Sequence, residues 1–546
     1  MAALAGLPAA LGSSRKKVCL TRAVAIPKAV RYNRTAVIIG VQLIAMTALA
    51  VILGTWQDEE YTLATTAHGA VYALHRAISY ELQAPLYFVL VALLRDIAPS
   101  LVAARMFSVA CALGVTATST AIARRLWPDV DPWPLAAFVA FNPFVVFAAV
   151  EIRLYALAIL VSGLLWLTFY DGFFCGQRRG ARIAFVILAV AALYLEYFLA
   201  FELVGFAVAL LIAGRFRALR TYVIAGMICA IGFLPMLAVL HSQIHAAFAA
   251  PGSRPLPVYS VFVHPLVEFL VPYEYGKNTA LRAVNAALVL LALSAVAIGR
   301  PRLHKPALAL GAIVVTIQVI YIVLVDVFND PLEVPRHFVA LFVPETAFAY
   351  AVLAALGNSA RGVAARRAIA GIVALATILS LTTKYHALAK FGDWPRVGAW
   401  LERHARSGDT IAIIVPDAVP AFERYYHGPA RVAAFPRPMD PNVYSIERMM
   451  VHSKAEALRA FAALPQSGRL WFVTFDGCDR LDRLGCLEVA AAQRERYRIV
   501  ESHAFYSTTV ERLVLRAALP RRRAVGRSER RGSRTSRGPM PVMRTK

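Results

Sequence analysis

Apolar positions in this chain gather in long runs, with little of the short alternation expected of half-buried strands. The runs are Ala36–Gly54, Met106–Ala123, Trp133–Val150, Leu154–Phe169, Ile183–Ala213, Tyr222–Leu240, Ala280–Ile298, Ala307–Val325, Phe338–Leu356 and Ala368–Leu381. Most approach the ~20 residues that a helix needs to cross a bilayer. Ile183–Ala213 is long for one crossing and lean for two. It is flanked by Arg178, Arg179 and Arg182 on one side and by Arg215, Arg217 and Arg220 on the other. Basic residues favour the cytoplasmic side, so both ends belong there, and the run reads as two helices with an outer turn near Glu196-Tyr197. The pattern therefore predicts an α-helical polytopic membrane protein with about eleven spans, within residues 36–383. Pro85–Leu94, stopped by Arg95-Asp96, is too short to cross and is predicted to be a juxtamembrane helix in an outer loop over 56–105.

After Thr383 the pattern changes. Thr410–Pro416 and Leu470–Thr474 read as buried strands, and Ser453–Ala463 and Leu487–Tyr497 carry helical periodicity. Residues 384–518 are predicted to form a small C-terminal α/β extracytoplasmic domain. No Gly-rich phosphate fingerprint follows either strand, so the pattern does not point to nucleotide binding. The segment 519–546, rich in Arg, Ser and Gly, is expected to be a disordered basic tail. Residues 1–35 read as a cytoplasmic basic arm without the features of a cleavable signal peptide.

Composition sharpens this picture. The chain is 59% hydrophobic with a mean hydropathy of +0.58, which excludes an ordinary soluble protein. A net charge of +25 would suit nucleic acid, but in a polytopic chain excess Lys and Arg first reports orientation. If Pro85–Leu94 stays on the outer side, Arg124-Arg125, Arg178/Arg179, Arg300/Arg302 and Arg366-Arg367 all fall inside. Were it to cross, each of those clusters would fall outside. The location expected is the inner (plasma) membrane, with the C-terminal domain outside. Of six cysteines, only Cys478 and Cys486 lie wholly outside in this topology, where a disulfide between them is expected. None has the spacing of a zinc or haem site.

Asp58, Glu59 and Glu60 leave the first span beside Trp56 and Tyr61, two residue types that favour the membrane interface. The same topology puts Arg105, Glu151, Arg153, Tyr155, Glu196, Glu333, Arg336 and His337 on the outer face. Arginine binds phosphate oxygens through its planar fork, and a carboxylate within reach of a hydroxyl can act as its general base. Together these residues suit chemistry on an anionic lipid phosphate at a membrane surface.

Asp58-Glu59 after the first span, Ala84-Pro85-Leu86-Tyr87, Ala104-Arg105-Met106-Phe107-Ser108, Asn142-Pro143-Phe144 and Glu151-Ile152-Arg153-Leu154-Tyr155 follow in order. Their order and spacing resemble the polyprenyl-phosphate-dependent glycosyltransferases of the GT-C class. Within that class they resemble the bacterial branch related to protein O-mannosyltransferases and the lipid A aminoarabinose transferase. The resemblance covers roughly residues 54–170, weakens through Arg336-His337-Phe338 and is absent from the tail. One departure stands out: the family commonly carries a Pro-Pro pair where this chain has Gln83-Ala84-Pro85.

The resemblance implies an inverting transfer of a sugar from a polyprenyl-phosphate donor to a glycan, lipid or protein acceptor. It gives Asp58 the role of general base and Glu59 that of an orienting neighbour. Arg105, Glu151, Arg153, Tyr155, Arg336 and His337 would then contact donor or substrate. A divalent cation cannot be derived from these residues. The competing class, a transporter or lipid flippase, would place polar groups near the bilayer midplane, often in repeated halves. No internal repeat is visible here.

Overall fold

The computed structural model describes residues 28–128, 130–248, 269–270, 279–328, 338–440, 443, 445–465, 468–475 and 484–516. The N-terminal arm before Lys28, Arg336, His337, Cys478 and the tail predicted to be disordered lie outside the described residues.

The first span is helix α1, Lys28–Ile52. Three short helices follow at its C-terminal end: α2 (Gln57–Thr65), α3 (Gly69–Ser79) and α4 (Leu86–Ile97). With twelve residues, α4 is indeed too short to cross, since a spanning helix needs ~20. It packs on α3, and Arg95 near its end donates to the Leu63 carbonyl at 2.5 Å and to Thr66 Oγ1 at 2.6 Å. The short helices thereby form one layer at that end of the helical bundle.

Helix α5 (Leu101–Leu126) returns through the bundle and packs along α8 (Tyr155–Phe169). Glycine permits their close approach. A Cβ on Gly163 would lie 2.9 Å from Thr118 Oγ1, and one on Gly114 would lie 2.9 Å from Leu160 Cδ1. Small residues at helix contacts serve the same purpose in membrane bundles generally. Between these helices, the single span predicted over Trp133–Val150 is broken into α6 (Trp133–Phe141) and α7 (Pro143–Ala149). Pro143 has no N–H to donate to the preceding turn. Asn142 caps the new helix instead, accepting from Phe144 N at 3.0 Å and donating to the Phe269 carbonyl at 2.8 Å.

The run Ile183–Ala213 divides where the charge argument expected. Helix α9 (Arg179–Leu195) stops at Glu196, a turn of 3-10 helix covers Tyr197–Leu199, and α10 (Ala200–Ile212) leads back. The bundle continues through α11 (Phe216–Phe248), α12 (Thr279–Gly299), α13 (Lys305–Phe328), α14 (Val339–Ala355) and α15 (Ala360–Tyr385). Among the described residues six helices are long and apolar enough to cross a membrane, and the other expected spans coincide with shorter or broken apolar helices. Helix α11 buries only 17% of its most apolar stretch against protein, leaving an apolar surface suited to lipid.

The C-terminal domain starts with α16 (Trp394–His404) and is built on a five-stranded sheet of order β2-β1-β3-β5-β4. Strands β1 (Thr410–Ile413), β2 (Arg431–Ala434) and β3 (Leu470–Phe475) run parallel, while β4 (Tyr497–Phe505) and β5 (Thr508–Leu515) form an antiparallel hairpin on β3. β1 and β3 are the two strands that the apolar pattern predicted. The helices α18 (Lys454–Ala463) and α19 (Cys486–Arg496) match the predicted periodic segments. Trp394, Phe422, Phe461, Trp471 and Phe472 fill the core of this domain. Cys486 is disulfide-bonded, and Cys478, its expected partner, lies outside the described residues.

Candidate active site

The link Gly54-Thr55-Trp56 turns the chain from α1 into α2, with Trp56 in an extended conformation as N-cap. The first turn of α2 then carries Asp58, Glu59 and Glu60. Negative charge is favourable at a helix N-terminus, where unpaired N–H groups and the helix dipole converge. Successive residues on a helix point ~100° apart, so the three carboxylates face three directions. Each direction has its own partners.

Glu59 points inward and is completely buried. It accepts from Arg105 through Nε and Nη2, both at 2.9 Å, from Lys390 Nζ at 2.7 Å and from Ile152 N at 3.2 Å. Arg105 is also completely buried, and its remaining bonds run to Ala50 O at 2.8 Å, Leu53 O at 2.6 Å and Gly54 O at 2.7 Å. These are carbonyls at the C-terminal end of α1, which a cation stabilises. Lys390 reaches Glu151 Oε1 at 3.1 Å and Val150 O at 2.8 Å. Trp56 Nε1 donates to the other oxygen of Glu151, whose own carbonyl accepts from Ser108 Oγ at 2.6 Å. Two carboxyl groups and two cations thus form a buried quartet that binds the end of α1, α2, α5, the 150–152 turn and the 386–393 linker together.

Burial opposes ionisation of Glu59, yet Lys390 and Arg105 together hold its carboxyl below the ordinary range. Burial also governs Glu151, which is pushed up to about 7 even though Lys390 favours its charge, with the Glu59 charge adding to the rise.

Glu60 points toward the C-terminal domain and is bound by Arg424, whose Nη2 lies 2.7 Å from Oε2 and whose Nε donates to Oε1. Next to it, Thr55 N donates to Tyr425 Oη at 2.9 Å. Arg424 and Tyr425 directly follow the short helix α17 (Val419–Glu423), which packs on α2. Glu59 and Glu60 therefore connect the bundle to the linker and to the soluble domain.

Asp58 takes the third direction. Its side chain is 17% exposed, against 0% for Glu59 and 8% for Glu60. Arg153 Nη2 lies 4.0 Å from Asp58 Oδ2. The same guanidinium donates to Thr62 Oγ1 at 3.2 Å, to Glu81 Oε2 at 3.5 Å and to the Asp58 carbonyl at 3.4 Å. Glu81 in turn accepts from Thr65 Oγ1 at 2.6 Å. Tyr155 is buried two residues beyond Arg153, its ring stacked on Phe147 at 5.8 Å.

The structure thus gathers Asp58, Glu59, Arg105, Glu151, Arg153 and Tyr155 around the start of α2. Arg336 and His337, expected beside them, lie outside the described residues. Lys390, Arg424 and Tyr425 were not anticipated, because they come from far along the chain and carry no local motif. Among the described residues no group of three or more His, Cys, Asp or Glu side chains is arranged to hold a metal ion.

No protein-family model and no curated protein matches the chain. Among solved structures it is similar to ArnT from Cupriavidus metallidurans bound to undecaprenyl phosphate, at 13% identity and a TM-score of 0.48, covering 87% of this chain and 97% of that one. It is similar to the same protein in the apo state at 12% identity and a TM-score of 0.49, with coverages of 87% and 97%. It is also similar to the oligosaccharyltransferase of Archaeoglobus fulgidus in complex with zinc and sulfate, at 12% identity and a TM-score of 0.41, covering 86% of this chain and 72% of that one.

Proposed function

We propose that this protein is a membrane glycosyltransferase that moves a sugar from a polyprenyl-phosphate donor to an acceptor hydroxyl on the extracytoplasmic face. The observation that carries the reading is the sorting of three consecutive carboxylates. Glu59 and Glu60 are enclosed in ion pairs, whereas Asp58 keeps exposed surface beside Arg153, at the end of the bundle where α1 gives way to α2. That arrangement leaves one carboxylate that an acceptor can reach, next to one guanidinium suited to a phosphate.

In this reading Asp58 takes the proton of the acceptor hydroxyl while the oxygen attacks the anomeric carbon. The bond from that carbon to the phosphate oxygen breaks, its electron pair stays with polyprenyl phosphate, and the configuration inverts. Arg153 stabilises the charge that grows on the leaving phosphate. Arg105 serves differently from the sequence expectation: enclosed against α1 and Glu59, it anchors the site and leaves donor contact to Arg153. Glu151 likewise holds Lys390.

A flippase or transporter has one observation in its favour. Carboxylates inside membrane bundles commonly mark transport pathways. Glu202 on α10 and Glu345 on α14 are such groups, Glu202 accepting from Ser162 and Glu345 having an enclosed Oε2 with no hydrogen-bond partner among the described residues.

Incubating membranes that contain the protein with radiolabelled polyprenyl-phosphate sugars separates the two readings. Label that leaves the lipid and appears on an acceptor supports transfer. Label that stays on the lipid carrier and only changes leaflet rejects transfer in favour of transport.

A further inference from the structure

Asp58, Thr62 and Thr65 lie on one face of α2, at intervals of four and three residues. Arg153 and Glu81 are seated on that face, and both are almost fully enclosed. Arg153 Nη1 donates to Thr62 Oγ1 at 3.2 Å, to the Asp58 carbonyl at 3.4 Å and to Glu81 Oε2 at 3.5 Å. The other oxygen of Glu81 accepts from Thr65 Oγ1 at 2.6 Å. Glu81 is thus pinned to α2 through one oxygen and holds the arginine with the other.

The segment that carries Glu81 has an uncommon backbone. Glu81 N donates to Arg76 O at 3.1 Å as α3 ends, and Leu82 then turns left-handed, with a φ of 53°. A non-glycine residue in that region is strained, and such strain persists where surrounding contacts over-determine it. Gln243 on α11 brackets the turn, donating to Ile78 O at 3.1 Å and to Gln83 O at 3.3 Å. Gln243 is fixed in turn by Tyr197 Oη, which donates to its Oε1 at 2.9 Å. The place of Glu81 is therefore set from the bundle as well as from α2.

Which nitrogen is held decides which edge of Arg153 remains. Arg105, Arg125 and Arg424 each turn Nε and Nη2 toward one carboxylate, that of Glu59, Asp171 and Glu60 respectively. Arg153 is held by Nη1 instead. Its Nε is enclosed with no hydrogen-bond partner among the described residues, and Nη2 stays 4.0 Å from Asp58 Oδ2, beyond hydrogen-bond reach. Tyr155 is a further group that bears on this guanidinium. A buried donor without an acceptor calls for an explanation, and an anionic ligand supplies one. The Nε–Nη2 edge is a planar fork that matches two oxygens of a phosphate.

We propose that Glu81 is a positioning residue: by gripping Nη1 it turns the Nε–Nη2 edge of Arg153 toward two oxygens of the donor phosphate. Its role in turnover rests on the glycosyl-transfer reading, whereas the phosphate site itself does not. Burial pushes the Glu81 carboxyl above its ordinary range, and the Arg153 charge is the strongest influence opposing that rise. The pull of Glu81 also keeps Arg153 from closing onto Asp58, so the candidate base and the phosphate ligand stay separate.

Binding of radiolabelled polyprenyl phosphate to the full-length protein in detergent tests the assignment. Glu81→Gln removes the charge that holds Nη1 and should weaken binding about tenfold. Arg153→Lys keeps a cation but lacks the fork, and should weaken binding at least as much. The two changes should not add: in the Arg153→Lys background, Glu81→Gln should cost less than about twofold. Equal losses in both backgrounds, or no loss for Glu81→Gln alone, would overturn the proposal. Glu81→Asp retains the charge on a shorter side chain and should recover part of the affinity. It carries the same comparison if Glu81→Gln fails to fold. In sugar transfer, Glu81→Gln should raise the donor KM by a similar factor. A fall in kcat with the donor KM unchanged would assign Glu81 a purely structural part and overturn the proposal. Should the coupling in phosphate binding appear while the unaltered protein transfers no sugar from any polyprenyl phosphate, the positioning stands and the glycosyl-transfer reading falls.

Discussion

Lys390 Nζ lies 2.7 Å from Glu59 Oε2, although the two residues are 331 positions apart in the chain. Glu59 belongs to the first short helix after α1, and Lys390 to the linker that follows α15. The bond therefore closes the membrane bundle on itself at the point where the soluble domain begins. Lys390 is almost fully enclosed, and three acceptors surround its ammonium.

Removing one member of a buried ion network leaves its partners uncompensated, which costs about 3–5 kcal/mol. Lys390→Met should accordingly lower the thermal unfolding midpoint of the detergent-solubilised protein. Lys390→Arg keeps the charge and should lose less. An unchanged midpoint for Lys390→Met would show that the network contributes nothing to stability.

The three adjacent carboxylates should separate by the kind of defect they cause. Asp58→Asn should fold and insert normally but lose transfer by about 10²- to 10⁴-fold, the usual contribution of a general base. Glu59→Gln should fail in stability first, because Arg105 and Lys390 lose their shared counter-charge. Glu60→Gln should be mildest, weakening charge-assisted bonds to Arg424 worth about 1.5–3 kcal/mol. Comparing unfolding curves with transfer rates checks the order, and a well-folded but inactive Glu59→Gln would move the base by one residue.

Asp409 provides a pH-dependent anchor within the soluble domain. Burial raises its pKa, but hydrogen bonds from Arg469, from the backbone N–H groups of Arg406 and Arg469 and from the Trp471 indole outweigh that and bring it down to about 2. A depressed carboxyl contributes stability that is fully present above its unfolded value of about 4 and is lost as the pH falls toward 2. Asp409→Asn should lower stability at neutral pH and flatten the decline between about pH 4 and 2. Tryptophan fluorescence of the full chain during acid titration reads both effects.

Orientation follows from the same charge pattern that predicted the spans. A cysteine introduced at Arg179 should be protected from a membrane-impermeant label added outside intact cells, and one at Arg403 should react. The opposite pattern would invert the topology and move the candidate site to the cytoplasmic face.

Cys478 and Cys486 should form a disulfide on the outer side. Peptide mass analysis without reduction should recover the two segments joined. Full alkylation of both thiols without reductant would reject the pairing.

The long apolar runs determined the helical, membrane-spanning class because uninterrupted apolar helices have no other suitable solvent. Basic flanks determined the division at Glu196, and the composition change after Thr383 determined the α/β domain. The same averaging over long runs hid the break at Asn142-Pro143, where one missing N–H outweighs uniform apolarity. It also left β2, β4 and β5 unseen, since much of their surface is exposed and their pairing comes from β1 and β3. The residues around Asp58 could be collected from their order along the first third of the chain. Which of them is reachable, and which is locked away, depends on partners such as Lys390 and Arg424. Those partners come from the linker and the soluble domain, and a contact across more than 300 positions leaves no period or spacing in the sequence. Tertiary structure decided it through burial and charge pairing: α2 is turned so that Glu59 and Glu60 meet cations, and Asp58 alone of the three keeps a larger share of its surface exposed.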